Sequence, residues 1–180
     1  GDGLGSVYAY AVADAVDGLP VARGRIAKTA TPLAAPLAAV DGDTVHVASW
    51  DPGGLRLTAW IRGPDGWSAR DLLGEPLSPA PQPGAIALAA LDRTSFVGLP
   101  QDGSYGRDRG SLLVVKPGES VSRTPGPEGT AGEEFGHELA VASGRLLVAA
   151  RGADRSGRIY DMDLATLAET PLSFRPLAER

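Results

Sequence analysis

The amino-acid sequence predicts an all-β protein built from repeated units of four short antiparallel strands. Glycine and proline are abundant, at 24 and 15 of the 180 residues, and both recur along the whole chain instead of forming one tract. This distribution is typical of many tight turns between short strands. Apolar segments of strand length also recur with a period of about 50 residues. The pattern shows no long amphipathic helix between them.

The first two strands of the unit form the clearest repeat. The segments 37–49, 88–98 and 139–149 each contain an apolar strand, a short polar turn and a second apolar strand. When Val47, Val97 and Val148 are aligned, the copies lie 50 and 51 residues apart. Because these strands consist largely of Ala, Val and Leu, we expect both of their faces to be buried near a crowded central axis.

Two further strands complete the predicted unit. A glycine opens each third strand, and apolar and polar residues then alternate, which is typical of a strand with one wetter face. The third strands are predicted to begin at Gly5, Gly54, Gly110 and Gly157. The fourth strands are predicted over 22–29, 67–73, 120–124 and 169–174. The Ala-rich stretch 8–16 could form a helix by itself, but its repeat partners favour a strand.

Four strands in about 50 residues make the unit of a β-propeller blade. Residues 1–30 supply only a third and a fourth strand, and 31–80, 81–130 and 131–180 are three blades of one partial propeller domain. The fold prediction is therefore a propeller-type assembly of about three and a half repeats. Because unpaired blade faces favour association, we expect a fragment of a longer propeller or a chain that self-associates.

These units resemble FG-GAP repeats, the blades of integrin α-subunit propellers and of many secreted bacterial proteins. Phe135-Gly136 matches the Phe-Gly landmark of the family, and Gly98-Leu99-Pro100 matches its Gly-Ala-Pro landmark with one change. Gly5–Tyr8 and Gly110–Leu113 resemble the start of its third strand, and Gly66–Ser68 resembles the start of its fourth. The resemblance implies a non-catalytic module for extracellular or cell-surface recognition, adhesion or assembly. The alternative is an accessory propeller domain of a larger secreted hydrolase.

The same family often binds calcium in a loop after the second strand. The best match here is 102–108, where Asp102 and Asp108 offer carboxylates and Ser104 a hydroxyl. Calcium takes about six to eight oxygen ligands, and the arginines in and after this loop add unfavourable positive charge. The resemblance thus implies a calcium site at these three residues, while the residues themselves favour a glycine-rich turn with solvated acids.

The loops that follow the second strands are the predicted ligand-binding surface, because they share one end of the propeller channel. Exposed aromatic rings beside carboxylates suit a protein or carbohydrate ligand. The candidate residues are Trp50, Asp51, Gln101, Asp102, Tyr105 and Arg151. In the alternative interpretation Trp50 and Tyr105 only fill gaps between blades, as we expect for Trp60 and Trp67.

Composition narrows the function classes. The net charge is −5 and no basic stripe is present, which argues against a nucleic-acid partner. No apolar run approaches the roughly 20 residues of a membrane span. The chain has no cysteine, so disulfides and thiolate metal sites are excluded. The excess of Arg over Lys fits a bacterial protein, and the expected location is secreted or at the cell surface.

One motif has a formal catalytic interpretation. Asp41-x-Asp43 after an apolar strand matches the nucleophile motif of haloacid-dehalogenase-type phosphatases, in which the first Asp attacks phosphorus. That fold needs alternating strands and helices, and the repeat places Asp41 and Asp43 at a hairpin turn instead. His46 is predicted to pack within a second strand, and His137 to lie in the blade-entry loop after the Phe-Gly landmark. We find no catalytic constellation and predict a protein that is not an enzyme.

Overall fold

The structure, a computed structural model, describes residues 6–16, 19–28, 37–51, 53–77, 86–153, 157–166 and 175–176. Apart from turns and loops, the regular structure of these residues consists of β-strands and short 3₁₀ segments such as Leu164–Thr166, with no α-helix among them. The strands are β1 (Ser6–Val16), β2 (Leu19–Lys28), β3 (Leu37–Asp41), β4 (Thr44–Asp51), β5 (Gly54–Gly63), β6 (Gly66–Asp71), β7 (Ala87–Leu91), β8 (Thr94–Leu99), β9 (Ser111–Val115), β10 (Ser122–Pro125), β11 (Phe135–Ala142), β12 (Arg145–Ala150), β13 (Arg158–Asp163) and β14 (Arg175–Pro176). The all-β prediction is therefore confirmed.

The predicted four-strand unit is confirmed three times. Strands β3–β6 form sheet I, β7–β10 form sheet II and β11–β14 form sheet III, each with antiparallel neighbours in chain order. Strands β1 and β2 pair as an antiparallel hairpin, so the stretch 8–16 is a strand. The predicted fourth strand at 169–174 lies outside the described residues, and β14 pairs with β13 just after it. The other fourth strands lie within about three residues of their predicted bounds. His137 was expected in a blade-entry loop, but it lies within β11, because that strand already begins at Phe135.

Two-residue hairpin turns set the register of the first two strands in sheets II and III. Asp92 and Arg93 both have positive φ, at 49° and 63°, and Ser143 and Gly144 follow with 50° and 73°. Positive φ at both central residues is the type I′ geometry, whose twist matches that of the flanking strands. The strands therefore pair directly across these turns, and Leu91 lies opposite Thr94 in sheet II.

Sheet II lies between the other two sheets, and the alternation of its strands divides its side chains between two core layers. Phe96 and Leu112 point toward sheet III, whereas Val97 and Leu113 point toward sheet I. The layer between sheets I and II contains Ala48, Leu55, Leu57, Ala59, Leu72, Val97, Leu99, Leu113 and Val115. The layer between sheets II and III contains Ala89, Phe96, Leu112, Val114, Phe135, Leu146, Val148, Ala150, Ala153, Tyr160 and Met162.

Two burial predictions are wrong, for a common reason. The first strands were expected to be buried on both faces, but burial alternates along β3 and β11, and Val40 is 70% exposed. In sheet II the third strand, β9, was expected to have a wetter face, yet all five of its residues are buried. Sheet II packs between sheets I and III, which buries both faces of β9, whereas alternate residues of β3 and β11 remain exposed.

The other face of sheet I carries the two tryptophans that were assigned to packing. Trp60 and Trp67 are partly buried and pack against Val45 and Val47. These four residues lie on the sheet face that points away from sheet II. Their packing agrees with the structural role predicted for both rings.

The Gly98-Leu99-Pro100 and Phe135-Gly136 segments contact each other where sheets II and III meet. A Cβ placed on Gly98 would lie 2.0 Å from the carbonyl oxygen of Gly136. Phe135, which is fully buried, packs edge to face on Tyr160 with ring centroids 5.7 Å apart. Glycines in both landmarks therefore let the two backbones approach, and the phenylalanine anchors the contact.

Candidate functional site

The predicted binding loops lie at the sheet end where β4, β8 and β12 finish, which we call the loop end. Gln101 and Arg151 are exposed there. Tyr105 is 41% exposed, and its hydroxyl donates to the carbonyl oxygen of Arg123 at 3.4 Å. Trp50 and Asp51 end β4, and their side chains lie outside the described part of the structure. The exposed loop-end side chains thus remain a predicted binding surface.

Asp102 differs from its neighbours because it is buried, with 6% of its surface exposed. Its Oδ1 accepts from the backbone N–H of Ser104 at 2.9 Å, and its Oδ2 accepts from the Ser111 hydroxyl and lies 2.6 Å from Arg123 Nη2. Burial acts to raise the pKa of Asp102, but these hydrogen bonds and the guanidinium outweigh it and lower the pKa. Asp102 is therefore an ionised anchor that ties the loop after β8 to β9 and β10.

The calcium prediction concerns Asp102, Ser104 and Asp108, and the ion pair with Arg123 already engages the first of these residues. Asp108 is about half exposed, and its carboxylate lies 3.6 Å from Arg107 Nε. Within the described residues, no group of three or more His, Asp or Glu side chains is placed to hold a metal. The site stays a prediction, and a cation at Asp102 would have to displace the guanidinium of Arg123.

A second buried acid, which the sequence reasoning missed, lies just before the Phe-Gly landmark. Glu133 is fully buried, and its Oε1 accepts from the Glu128 backbone N–H at 3.3 Å. Burial raises the pKa of Glu133, against opposing hydrogen bonds from backbone N–H groups and the charge of Arg109. The Glu128 carboxylate in turn accepts from the Tyr160 hydroxyl at 2.9 Å and pairs with Arg158. This network holds the loop before β11 against sheet III.

A polar cavity of about 640 Å³ lies between sheets I and II at the opposite end, beside the hairpin turns. We call it the inter-sheet pocket. Acidic and basic side chains line it together with one histidine and several apolar groups. Its lining residues are Asp41, Asp43, Thr44, His46, Ala59, Ile61, Arg62, Arg70, Leu72, Asp92, Arg93 and Pro117. The sequence pattern had singled out Asp41 and Asp43 as a nucleophile motif but had not indicated the pocket, because its residues come from two different repeats.

His46 forms the most buried part of the pocket wall, with no exposed surface. Its Nδ1 lies 2.6 Å from the hydroxyl of Ser95 in sheet II, whereas Nε2 has no hydrogen-bond partner. Burial lowers the pKa of His46, and the nearby negative charge of Asp41 opposes that shift. The ring is thus neutral near pH 7 and has one unused polar atom.

The charged side chains of the pocket do not neutralise one another. The Asp41 carboxylate accepts from the backbone N–H of Arg93 at 2.7 Å, which fits the predicted hairpin role of the Asp-x-Asp motif better than a nucleophile. Among the described residues, no carboxylate lies within 4.0 Å of the guanidinium groups of Arg62, Arg70 or Arg93. Asp43 likewise has no basic partner within that distance in the described part of the chain.

A smaller cavity of about 390 Å³ occupies the equivalent place between sheets II and III. Under the repeat alignment, Phe96 corresponds to His46, and Leu146 corresponds to Ser95. Phe96 and Leu146 belong to one apolar core layer. The polar pair is therefore specific to the junction of sheets I and II and is not a requirement of the fold.

Comparison with known proteins supplies no identification. No protein-family model matches the chain, and no curated protein matches it either. The FG-GAP resemblance accordingly stays a prediction. Among the residues that the structure describes, no helix has the length and apolar character needed to cross a membrane.

Proposed function

We propose that the chain is part of a β-propeller of the FG-GAP kind and acts as a non-catalytic recognition or assembly module. One observation carries the proposal. Three four-stranded antiparallel sheets follow one another in the chain, and β3, β7 and β11 contact each other in that order. Blades arranged around an axis bring their first strands together in this way.

The contact between the two landmarks supports the blade interpretation. Gly98 lies one residue before the end of the second strand in sheet II, and Gly136 is the second residue of the first strand in sheet III. Their close approach gives the landmarks a physical purpose, because a side chain at either position would push the two sheets apart. The contact joins two sheets that follow each other in the chain, as expected for consecutive blades.

The distribution of polar groups supports recognition over catalysis. At the loop end, the carboxylate of Asp102 is held by Arg123 and Ser111, which suits a rigid scaffold better than proton transfer. Tyr105 and Arg151 remain exposed on loops that this scaffold positions. Rigid sheets with exposed loop side chains are the common design of binding proteins. A secreted or cell-surface location is part of the same proposal.

Array binding tests the recognition role. We expect the full chain to bind a subset of immobilised glycans or extracellular peptides, and Tyr105→Ala or Arg151→Ala to weaken that binding about tenfold. Asp65→Ala, in the exposed turn between β5 and β6, is the matched control and should bind normally. Unchanged affinity in both loop variants would contradict the proposed surface. Turnover of a phosphate ester would contradict the non-catalytic role.

The propeller architecture needs a separate measurement. An experimental structure of the intact assembly should show the three sheets radiating from one axis with β3, β7 and β11 innermost. Parallel layers without a shared axis would overturn the blade interpretation, whatever the arrays show.

A further inference from the structure

We propose that the inter-sheet pocket binds a small zwitterionic ligand, such as a dipeptide, between sheets I and II. The ligand's ammonium group would face the pocket's aspartates and its carboxylate the arginines, above the ring of His46. The inference builds on the recognition role proposed above and names a ligand class for a different end of the sheets.

The pocket wall contains a polar atom that has no hydrogen-bond partner. Buried polar groups are nearly always hydrogen-bonded, so Nε2 of a fully buried His46 needs an explanation. The fold itself does not demand the histidine, because Phe96 and Leu146 fill the equivalent junction with apolar groups. A polar ligand that enters the pocket and displaces the groups covering the ring would supply the missing partner.

Exposed side chains of both charge signs surround the same cavity without pairing with one another. Arg62 and Arg70 lack a carboxylate within ion-pair distance in the described residues, and Asp43 lacks a basic group. A purely anionic ligand would meet the three aspartates of the wall, and a purely cationic ligand would meet its three arginines. A ligand that carries both charges can satisfy both sets, through charge-assisted hydrogen bonds.

The pocket has the volume of a small-molecule site, and part of its lining is apolar. The cavity volume of about 640 Å³ falls within the roughly 300–1,000 Å³ typical of small-molecule sites. Ile61, Leu72 and Pro117 contribute apolar surface. They can accept one aliphatic side chain while the charged groups of the ligand bind the polar wall. A dipeptide with one aliphatic residue fits this combination.

Calorimetry with the full chain and alanyl-leucine is the direct test. We expect saturable binding below about 1 mM. N-acetyl-alanyl-leucine, which lacks the ammonium group, and alanyl-leucinamide, which lacks the carboxylate, should each bind about tenfold or more weakly. Absence of binding to the folded chain at about 10 mM overturns the proposal. Equal binding of the two blocked peptides overturns the zwitterion assignment.

Variants locate the ligand. Arg70→Gln should weaken alanyl-leucine about tenfold and reduce the discrimination against alanyl-leucinamide. Arg107→Gln, a 90% exposed guanidinium at the loop end, should leave binding unchanged. The pair His46→Phe and Ser95→Leu reproduces the apolar junction of sheets II and III, so a folded double variant should lose the binding. Retained binding in that folded variant places the ligand elsewhere and contradicts the proposal.

The two proposals fail separately. If alanyl-leucine binds but the arrays show no loop-end ligand, the pocket stands and the loop-end surface does not. If loop-end variants abolish array binding and the chain does not bind alanyl-leucine, the recognition role stands and the pocket proposal is wrong.

Discussion

Replacing the buried polar pair between sheets I and II with the apolar pair found between sheets II and III should stabilise the protein. The change is His46→Phe together with Ser95→Leu. In the present structure both residues have no exposed surface, they share one hydrogen bond of 2.6 Å, and Nε2 has no partner. The double variant removes all of these polar atoms from the core at once.

The magnitude follows from two opposing terms. A buried polar atom left without a partner costs about 1–3 kcal/mol, whereas one neutral hydrogen bond contributes about 1 kcal/mol. The double variant loses the stabilisation of the Nδ1 hydrogen bond but also removes the cost of the unpartnered Nε2. The free energy of unfolding should therefore rise by about 1 kcal/mol. For a domain of this size that corresponds to a rise in Tm of roughly 2–4 °C.

The single variant Ser95→Ala should have the opposite sign, because it leaves both imidazole nitrogens of His46 without partners. We expect it to lower the free energy of unfolding by about 1–3 kcal/mol. Urea unfolding followed by tryptophan fluorescence measures all three proteins. A double variant that is less stable than the starting protein by more than about 1 kcal/mol refutes the reasoning. So does a Ser95→Ala variant with no effect.

The same histidine gives the stability a dependence on pH. Its pKa is lowered in the folded state because burial disfavours the charged ring. The unfolded chain therefore binds the proton more readily, and stability should fall as the pH drops below about 6.5. The double variant should lose this contribution, which a series of urea titrations between about pH 5 and 8 can measure. If the free energy of unfolding of the double variant changes with pH as steeply as that of the starting protein, His46 is not the source of the pH dependence.

Three further predictions concern other parts of the core. Arg123→Met should destabilise the protein by about 2–4 kcal/mol in urea unfolding, because it leaves the buried charge of Asp102 without its cation; a loss below about 0.5 kcal/mol would contradict the anchoring role. Gly98→Ala should lower the free energy of unfolding by about 3 kcal/mol or more, because the added Cβ would collide with the backbone of Gly136. Gly103→Ala should leave stability nearly unchanged, because the space around Gly103 is open. Equal Tm values for the two variants would contradict this prediction. Glu133→Gln should gain stability relative to the starting protein as the pH rises above about 4.5, since a raised pKa means that the folded state favours the protonated acid; pH-independent differences would oppose this assignment.

The strand pattern was predictable from the sequence because it depends on local properties. Glycine-rich turns and short apolar runs placed three hairpins at a regular spacing, and the structure has strands at all of them. The type I′ turn at Ser143-Gly144 is a recognisable local signal. The burial of β9 was not predictable in the same way, because it depends on which sheets lie on either side.

The candidate sites also combine features that the local sequence predicts with features that depend on tertiary packing. Asp102 was singled out as a calcium ligand, but the partner that engages it, Arg123, lies 21 residues away and is brought close by pairing of β9 and β10. Nothing near Glu133 in the sequence indicates that its carboxylate is fully buried. Short motifs report which side chains are present, whereas charge pairing between strands is decided by the register of the sheets.

What the sequence established alone was the all-β class, the four-strand unit and its repeat, because turns and alternating burial are properties of neighbouring residues. Only the tertiary structure brought Gly98 onto Gly136 and His46 onto Ser95. His46 and Ser95, which lie 49 residues apart in the chain, meet because each unit buries its sheet face against the next. That packing creates the inter-sheet pocket, whose charges come from two units; among them only Asp41 and Asp43 form a motif that the sequence showed.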